Sequence, residues 1–149
     1  CIFTDGAEPS GNALHTENLL RLYQLTEQEE FLEQAEDVLK AVTHALEAHS
    51  TGYTYHLMNL LYYYDMRSPT LIIATMHPEA WIKKQIFSRF IPHRALIWQN
   101  ADPSLLALLP QLEHHSPKEG ATTLYICRDK TCSAPLVDFK AILEALNSL

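Results

Sequence analysis

The chain has 149 residues, 47% of them hydrophobic and 19% charged, with a net charge of −7. That balance supports a packed core, excludes wholesale disorder and fits one domain or two small ones. Residues 1–67 carry eleven acidic and three basic side chains, and residues 68–149 carry seven and eight; an acidic half beside a near-neutral one lacks the basic footprint that nucleic acid requires.

No apolar run approaches the roughly 20 residues that span a bilayer, and no basic-then-apolar leader opens the sequence. The first residue is Cys1 rather than Met, and structure begins at once, so a truncated or processed chain is expected. Cys1, Cys127 and Cys132 are too few for a secreted disulfide scaffold. The natural compartment is a reducing cytoplasm, with neither membrane nor nucleic acid as partner.

Residues 1–9 read as extended and irregular. Within them and just beyond, Asp5-Gly6-Ala7-Glu8-Pro9-Ser10-Gly11-Asn12 gathers two carboxylates, a hydroxyl and a carboxamide. Two glycines and a proline hold them in a non-repeating backbone, as in a site loop. Asp5 and Glu8 are a carboxylate pair that can do acid/base work or bind sugar hydroxyls, and Ser10 and Asn12 are candidate substrate-binding groups. The same residues also suit a helix entry, with Ser10 or Asn12 as cap and the acids offsetting the dipole.

The next helix is expected to run to about Leu25, with Leu19, Leu22, Tyr23 and Leu25 on its apolar face. Thr26-Glu27-Gln28-Glu29 has the form of a capping box. It opens a helix in which Phe31, Ala35, Val38, Leu39, Val42 and Leu46 recur at helical spacing. The short link makes an antiparallel hairpin. A third helix, about Tyr53 to Tyr64, carries Leu57, Leu60, Leu61 and Tyr64. The tyrosines at 53, 55, 62, 63 and 64 could face a carbohydrate or pack the helical half against the sheet.

The pattern changes at Ser68-Pro69. Leu71–Ala74 and Ala95–Trp98 read as strands buried on both faces, and Thr122–Cys127 as a third strand. Pro78 opens a helix lined by Ile82, Ile86 and Phe90 and ended by Pro92. Asp102-Pro103 opens another with Leu105, Leu108, Leu109 and Leu112. A last helix covers about Asp138 to Leu146. This alternation predicts a three-stranded, mostly parallel sheet with right-handed crossovers. The fold class is therefore mixed α/β: helical hairpins over 1–67, then a βαβαβα unit over 68–149.

Cys127 and Cys132 are separated by four residues, unlike the two of a thioredoxin motif. Arg128 and Lys130 could lower a thiol pKa, which makes a redox pair one reading. The alternative is structural, with Cys127 ending a strand and Cys132 in the loop after it. A metal site would need further ligands. His114 and His115 are near in sequence, but adjacent residues seldom chelate one ion, so no metal is expected. No glycine-rich phosphate loop follows any strand, and no cofactor is expected.

Taken in order, the Asp5–Asn12 segment, the Thr26–Ser50 helix, the Leu71–Trp98 unit and the C-x4-C-x-x-P ending at Cys127, Cys132 and Pro135 resemble the C-terminal portion of a family. It is that of the thioredoxin-domain-containing proteins related to spermatogenesis-associated protein 20. The resemblance implies a thioredoxin-like domain and a large α/α toroid of the six-hairpin glycosidase and N-acylglucosamine 2-epimerase type in the parent. Residues 1–67 would then be the toroid's closing helices and residues 68–149 an α/β appendage. Asp5, Glu8, Ser10 and Asn12 would lie near the central cavity, where related enzymes bind sugars. Three helices cannot close a toroid of twelve, so the piece is expected to be non-catalytic alone. Its exposed inner faces would be covered by the missing N-terminal part of the parent or by a homodimer. The alternatives are a thiol redox module at Cys127 and Cys132 and a protein-interaction domain.

Overall fold

The computed structural model describes residues 3–65, 68–77 and 80–149. The chain divides into two units, Cys1–Met66 and Arg67–Leu149. The first is helical, with α1 (Gly11–Thr26), α2 (Glu29–Ala48), a 3₁₀ turn at Ser50–Gly52 and α3 (Thr54–Tyr64).

Helix α1 starts where a cap is available: the Ser10 hydroxyl accepts from the Ala13 N–H at 3.2 Å. It runs one residue beyond the expected end, and this removes the expected capping box. Thr26 still lies in the last turn of α1, where its hydroxyl donates to the Leu22 carbonyl at 2.7 Å. Gln28 takes the N-cap position of α2 and makes no side-chain cap bond. Glu27, at φ 59°, turns the chain between the two helices and donates its N–H to the Tyr23 carbonyl.

Leu19, Leu20, Ala35 and Tyr62 form the buried centre of the helical unit, flanked by Phe31, Leu32 and Tyr63. Helix α3 does not bury the leucines that the sequence suggests. It buries His56, Asn59 and Tyr62, while Leu57, Met58, Leu61 and Tyr64 are 37%, 50%, 68% and 77% exposed. Its apolar residues are therefore mostly outward and its polar ones inward.

The second unit is built on β1 (Thr70–Ala74), β2 (Ala95–Gln99), β3 (Thr123–Arg128) and β4 (Thr131–Cys132), in the order β2-β1-β3-β4. Strands β1 and β2 are parallel, joined across α4 (Ala80–Phe87). Strand β3 runs antiparallel to β1, and β4 antiparallel to β3. The three-stranded, mostly parallel sheet expected from the alternation is thus a four-stranded mixed sheet.

The departure lies after β2. Helix α5 (Pro103–Leu108) does not carry the chain back to the starting end of the sheet. The chain continues instead through a 3₁₀ helix at Pro110–His114 and a tight turn, bridged at Lys118 and Ala121, with Glu119 and Gly120 at positive φ. It enters β3 from the other end.

Leu71 and Ile73 of β1, Leu124 of β3, Ile82 and Ile86 of α4, and Ile142 and Leu146 of α6 (Phe139–Asn147) make the main core. Strand β1 is central and buried from Leu71 to Ala74, as its unbroken apolar run suggests. Strand β2 is an edge and alternates buried with half-buried residues. Helix α4 ends at Phe87, ahead of Pro92, and leaves Phe90 92% exposed rather than lining the core. Leu108 is also turned outward. Asp102 and Asp138 cap α5 and α6, accepting from Ser104 and Ala141 N–H groups at 2.8 and 2.9 Å. The expected role of Pro78 lies outside the described residues.

Candidate functional site

Among the described residues two places gather chemistry, one in each unit. In the helical unit, the Asp5 carboxylate joins three segments. Its Oδ1 accepts from the Ser10 N–H and its Oδ2 from the Tyr55 N–H, both at 2.8 Å. The Asp5 N–H donates to the Gly52 carbonyl at 2.8 Å, and the Gly6 N–H to the Glu8 carbonyl at 3.0 Å. Tyr55 lies in the first turn of α3, where N–H groups lack intrahelical partners. Asp5 thus caps α3 from 50 residues away in sequence. Ser10 is buried, Asn12 half-buried and Glu8 exposed. The Asn12 carbonyl accepts from the Thr16 hydroxyl.

His56 and Asn59 belong to this place and were not singled out from the sequence. Asn59 Nδ2 donates to the Ala13 carbonyl at 2.7 Å. His56 is fully buried between the Phe3 and Tyr53 rings, with centroids at 6.2 Å in each case. Its Nε2 lies 3.4 Å from Ser10 Oγ, and its Nδ1 has no partner within bonding geometry. Burial holds its pKa below the usual 6.5; the nearby Asp5 carboxylate and the Phe3 backbone push the other way and are outweighed. The available signal was the spacing of His56, Asn59 and Tyr62 every three residues along one face of a helix.

The tyrosines tie the helices together. Tyr55 donates to Glu17 at 2.5 Å and Tyr63 to Glu36 at 2.7 Å, and Tyr62 donates to Gln24. Burial raises the Tyr62 pKa to about 12, and the hydrogen bond that the Tyr63 hydroxyl donates to the Glu36 carboxylate raises Tyr63 to about 12. These bonds lie within the helical unit, joining α3 to α1 and α2. Tyr64 is exposed.

The second place is the β3–β4 hairpin. Asp129 and Lys130 form its two-residue turn, both at positive φ, the backbone that such a turn requires. This sets Cys127 directly opposite Cys132, with Cα atoms 3.9 Å apart and the sulfurs joined in a disulfide. Cys132 is therefore in a strand, not in a loop.

Residues 125 and 127 share one face of β3, and Tyr125 braces His115 there, the rings meeting edge to face at 4.8 Å. The Tyr125 hydroxyl donates to the Ser116 carbonyl at 2.7 Å. His115 Nδ1 is 3.1 Å from the Gln111 carbonyl. A carbonyl only accepts, so Nδ1 carries the proton and Nε2 presents its lone pair. Nε2 lies 3.2 Å from Cys132 Sγ and 4.0 Å from Cys127 Sγ. His115 is the member that the sequence did not assign, because only the 3₁₀ turn that ends at His114 carries it to the hairpin.

The architecture is that of a mixed α/β chain with a three-helix unit and a small mixed sheet. No family model matches the chain, and no solved structure does. Curated proteins do match. The chain is 30% identical to spermatogenesis-associated protein 20 of Rattus norvegicus over 142 residues, 90% of this chain and 18% of that protein. It is 29% identical to the Homo sapiens protein of the same name over the same shares. An uncharacterized protein of Caenorhabditis elegans is 24% identical over 148 residues, 96% of this chain and 20% of that protein. The chain is homologous to spermatogenesis-associated protein 20 and spans about a fifth of the length of these relatives. Among the described residues, no helix is long and apolar enough to cross a membrane.

The depressed pKa of His56 sets a pH dependence. The unfolded chain takes up the proton first as pH falls, so this group's contribution is constant above about pH 6.5 and is lost below it. Denaturant unfolding between about pH 6.5 and 5 should show the helical unit weakening in the native chain, with a shallower pH slope in His56→Gln.

Proposed function

We propose that this chain is a C-terminal part of a longer protein of the spermatogenesis-associated protein 20 type, non-catalytic by itself, whose helical unit closes an α/α toroid of the six-hairpin glycosidase and N-acylglucosamine 2-epimerase type. The parent also carries a thioredoxin-like domain, acts on carbohydrate and resides in the cytoplasm. The similarity supports the first half of this reading, since it runs along 90% of this chain and 18% of the relative. The outward side chains of α3 support it too, because Leu57, Met58, Leu61 and Tyr64 need cover. Earlier hairpins of the parent, or a homodimer, would supply it.

One observation carries the non-catalytic assignment: both Asp5 oxygens hold backbone N–H groups. A carboxylate so engaged holds the loop in place and is a poor proton carrier. Glu8, the exposed member of the pair, is the carboxylate through which the parent's cavity would meet a sugar, with Ser10 at the N-cap of α1 and Asn12 in its first turn.

Asp5→Ala is expected to cost about 1–3 kcal/mol, as lost buried hydrogen bonds do, and Glu8→Ala less than about 0.5 kcal/mol. Isothermal titration of the chain with hexoses, N-acetylhexosamines and disaccharides should give no heat. Micromolar binding abolished by Asp5→Asn would overturn the assignment.

The position of His115 favours a second reading, a thiol–disulfide module. Reduced Cys132, the exposed cysteine, would pass its proton to His115 Nε2 and attack a substrate disulfide as the thiolate. Cys127 would then displace the mixed disulfide, leaving the substrate as two thiols and the pair closed. In a Cys1→Ser background, thiol titration should count two reactive groups after reduction and none after oxidised glutathione. Two inert thiols that never pair would end this reading.

A further inference from the structure

Among the described residues, His115, Cys127 and Cys132 are the group of cysteine, histidine and carboxylate side chains whose ligand atoms converge, all within 4.8 Å of one another. We propose that the reduced chain binds one Zn²⁺ here, through the two thiolates and His115 Nε2, with the fourth position open to solvent. This requires only that the cysteines be reduced, not that they exchange disulfides with a substrate, so failure of the redox module leaves it standing.

The donor set fits the ion. Two thiolates and an imidazole suit a borderline-soft d¹⁰ cation and not Mg²⁺ or Ca²⁺, which take oxygen ligands. Two thiolates also neutralise its charge, so no net charge enters the hairpin face.

The imidazole is already oriented as a ligand. Its Nδ1–H is held by the Gln111 carbonyl and its ring is braced by Tyr125, which is tied to Ser116. The Nε2 lone pair is thereby aimed at the sulfurs. A backbone acceptor on the far nitrogen is the usual outer support of a metal-bound histidine.

The hairpin supplies the other two donors from directly opposed positions. In a tetrahedral site, thiolates at about 2.3 Å from zinc stand roughly 3.7 Å apart. Rotation about the Cα–Cβ bonds separates the sulfurs once their bond is opened. Cys132 is exposed and Cys127 and His115 are half-buried, which leaves an entry path for the ion and room for a water at the fourth position.

The chemistry balances in two steps. A dithiol or phosphine reductant gives two electrons to the Cys127–Cys132 disulfide, which takes up two protons and becomes two thiols. Zn²⁺ then displaces both protons and forms two Zn–S bonds. Oxidation removes two of the three ligands together, so the closed hairpin and the metal site exclude each other.

The test uses the full chain in a Cys1→Ser background, reduced with a phosphine under anaerobic conditions and titrated with Co²⁺ as the spectroscopic probe. One equivalent of Co²⁺ should give a sulfur-to-cobalt charge-transfer band that Zn²⁺ bleaches. Cys127→Ser and Cys132→Ser should each weaken binding at least about tenfold and reduce the band. His115→Gln should weaken binding at least about tenfold while keeping both thiolates, and His114→Gln should change neither affinity nor spectrum. Circular dichroism checks that each variant is folded. Absence of the band in the reduced native chain would overturn the proposal. So would an affinity unchanged in His115→Gln, or binding that persists after the disulfide closes.

Discussion

The unpaired N–H groups at the start of a helix dominate how this chain uses its short polar side chains. Each helix start leaves donors with no intrahelical acceptor, and four side chains answer them directly: Ser10 for α1, Asp5 for α3, Asp102 for α5 and Asp138 for α6. Asp5 does more than cap, because its second oxygen takes the N–H of Ser10. One carboxylate thus fixes the entry loop, the start of α1 and the start of α3 together. The burial of His56 and Asn59 beneath that loop is a consequence, since both meet α1 or its cap near the point that Asp5 pins.

The same requirement governs what the polar octapeptide can do. Proton transfer needs a carboxylate free to change charge and partner. Hydrogen bonds from two backbone donors hold the Asp5 carboxylate in a fixed position. The homology to spermatogenesis-associated protein 20 covers about a fifth of such a protein. The hairpin of the second unit is different in kind. Its His115, Cys127 and Cys132 come from local structure alone, assembled by a two-residue turn and a 3₁₀ helix within 18 residues of sequence.

Much of the fold is legible in the sequence, and the places where it is not have particular causes. The two long helices and the central strand carry patterns tied to burial, and Ser10, Asp102 and Asp138 stand where caps are needed. Thr26-x-x-Glu29 misleads because a threonine in the last turn of α1 satisfies its hydroxyl on the Leu22 carbonyl instead. The antiparallel β3 was hidden because alternation of strands and helices does not fix the end from which the chain re-enters the sheet. Leu57 and Leu61 have the spacing of a core face, but α3 buries the polar and aromatic face that bonds to α1. In the sites, Asp5 and Ser10 were visible as a polar cluster, but a bond to Tyr55 at a distance of 50 residues was not. Cys127 and Cys132 were visible as a pair, while His115 depends on a turn geometry that adjacent histidines do not encode.

The central claim is that the Asp5 carboxylate is a structural clamp on the first turn of α3. Amide hydrogen exchange at Tyr55, followed by NMR, tests it most directly. A first-turn amide normally exchanges fast, since it has no helical acceptor. The account predicts a protected Tyr55 N–H in the native chain and loss of that protection in Asp5→Ala while α2 stays protected. Fast exchange at Tyr55 in the native chain, or protection that survives the substitution, would contradict it.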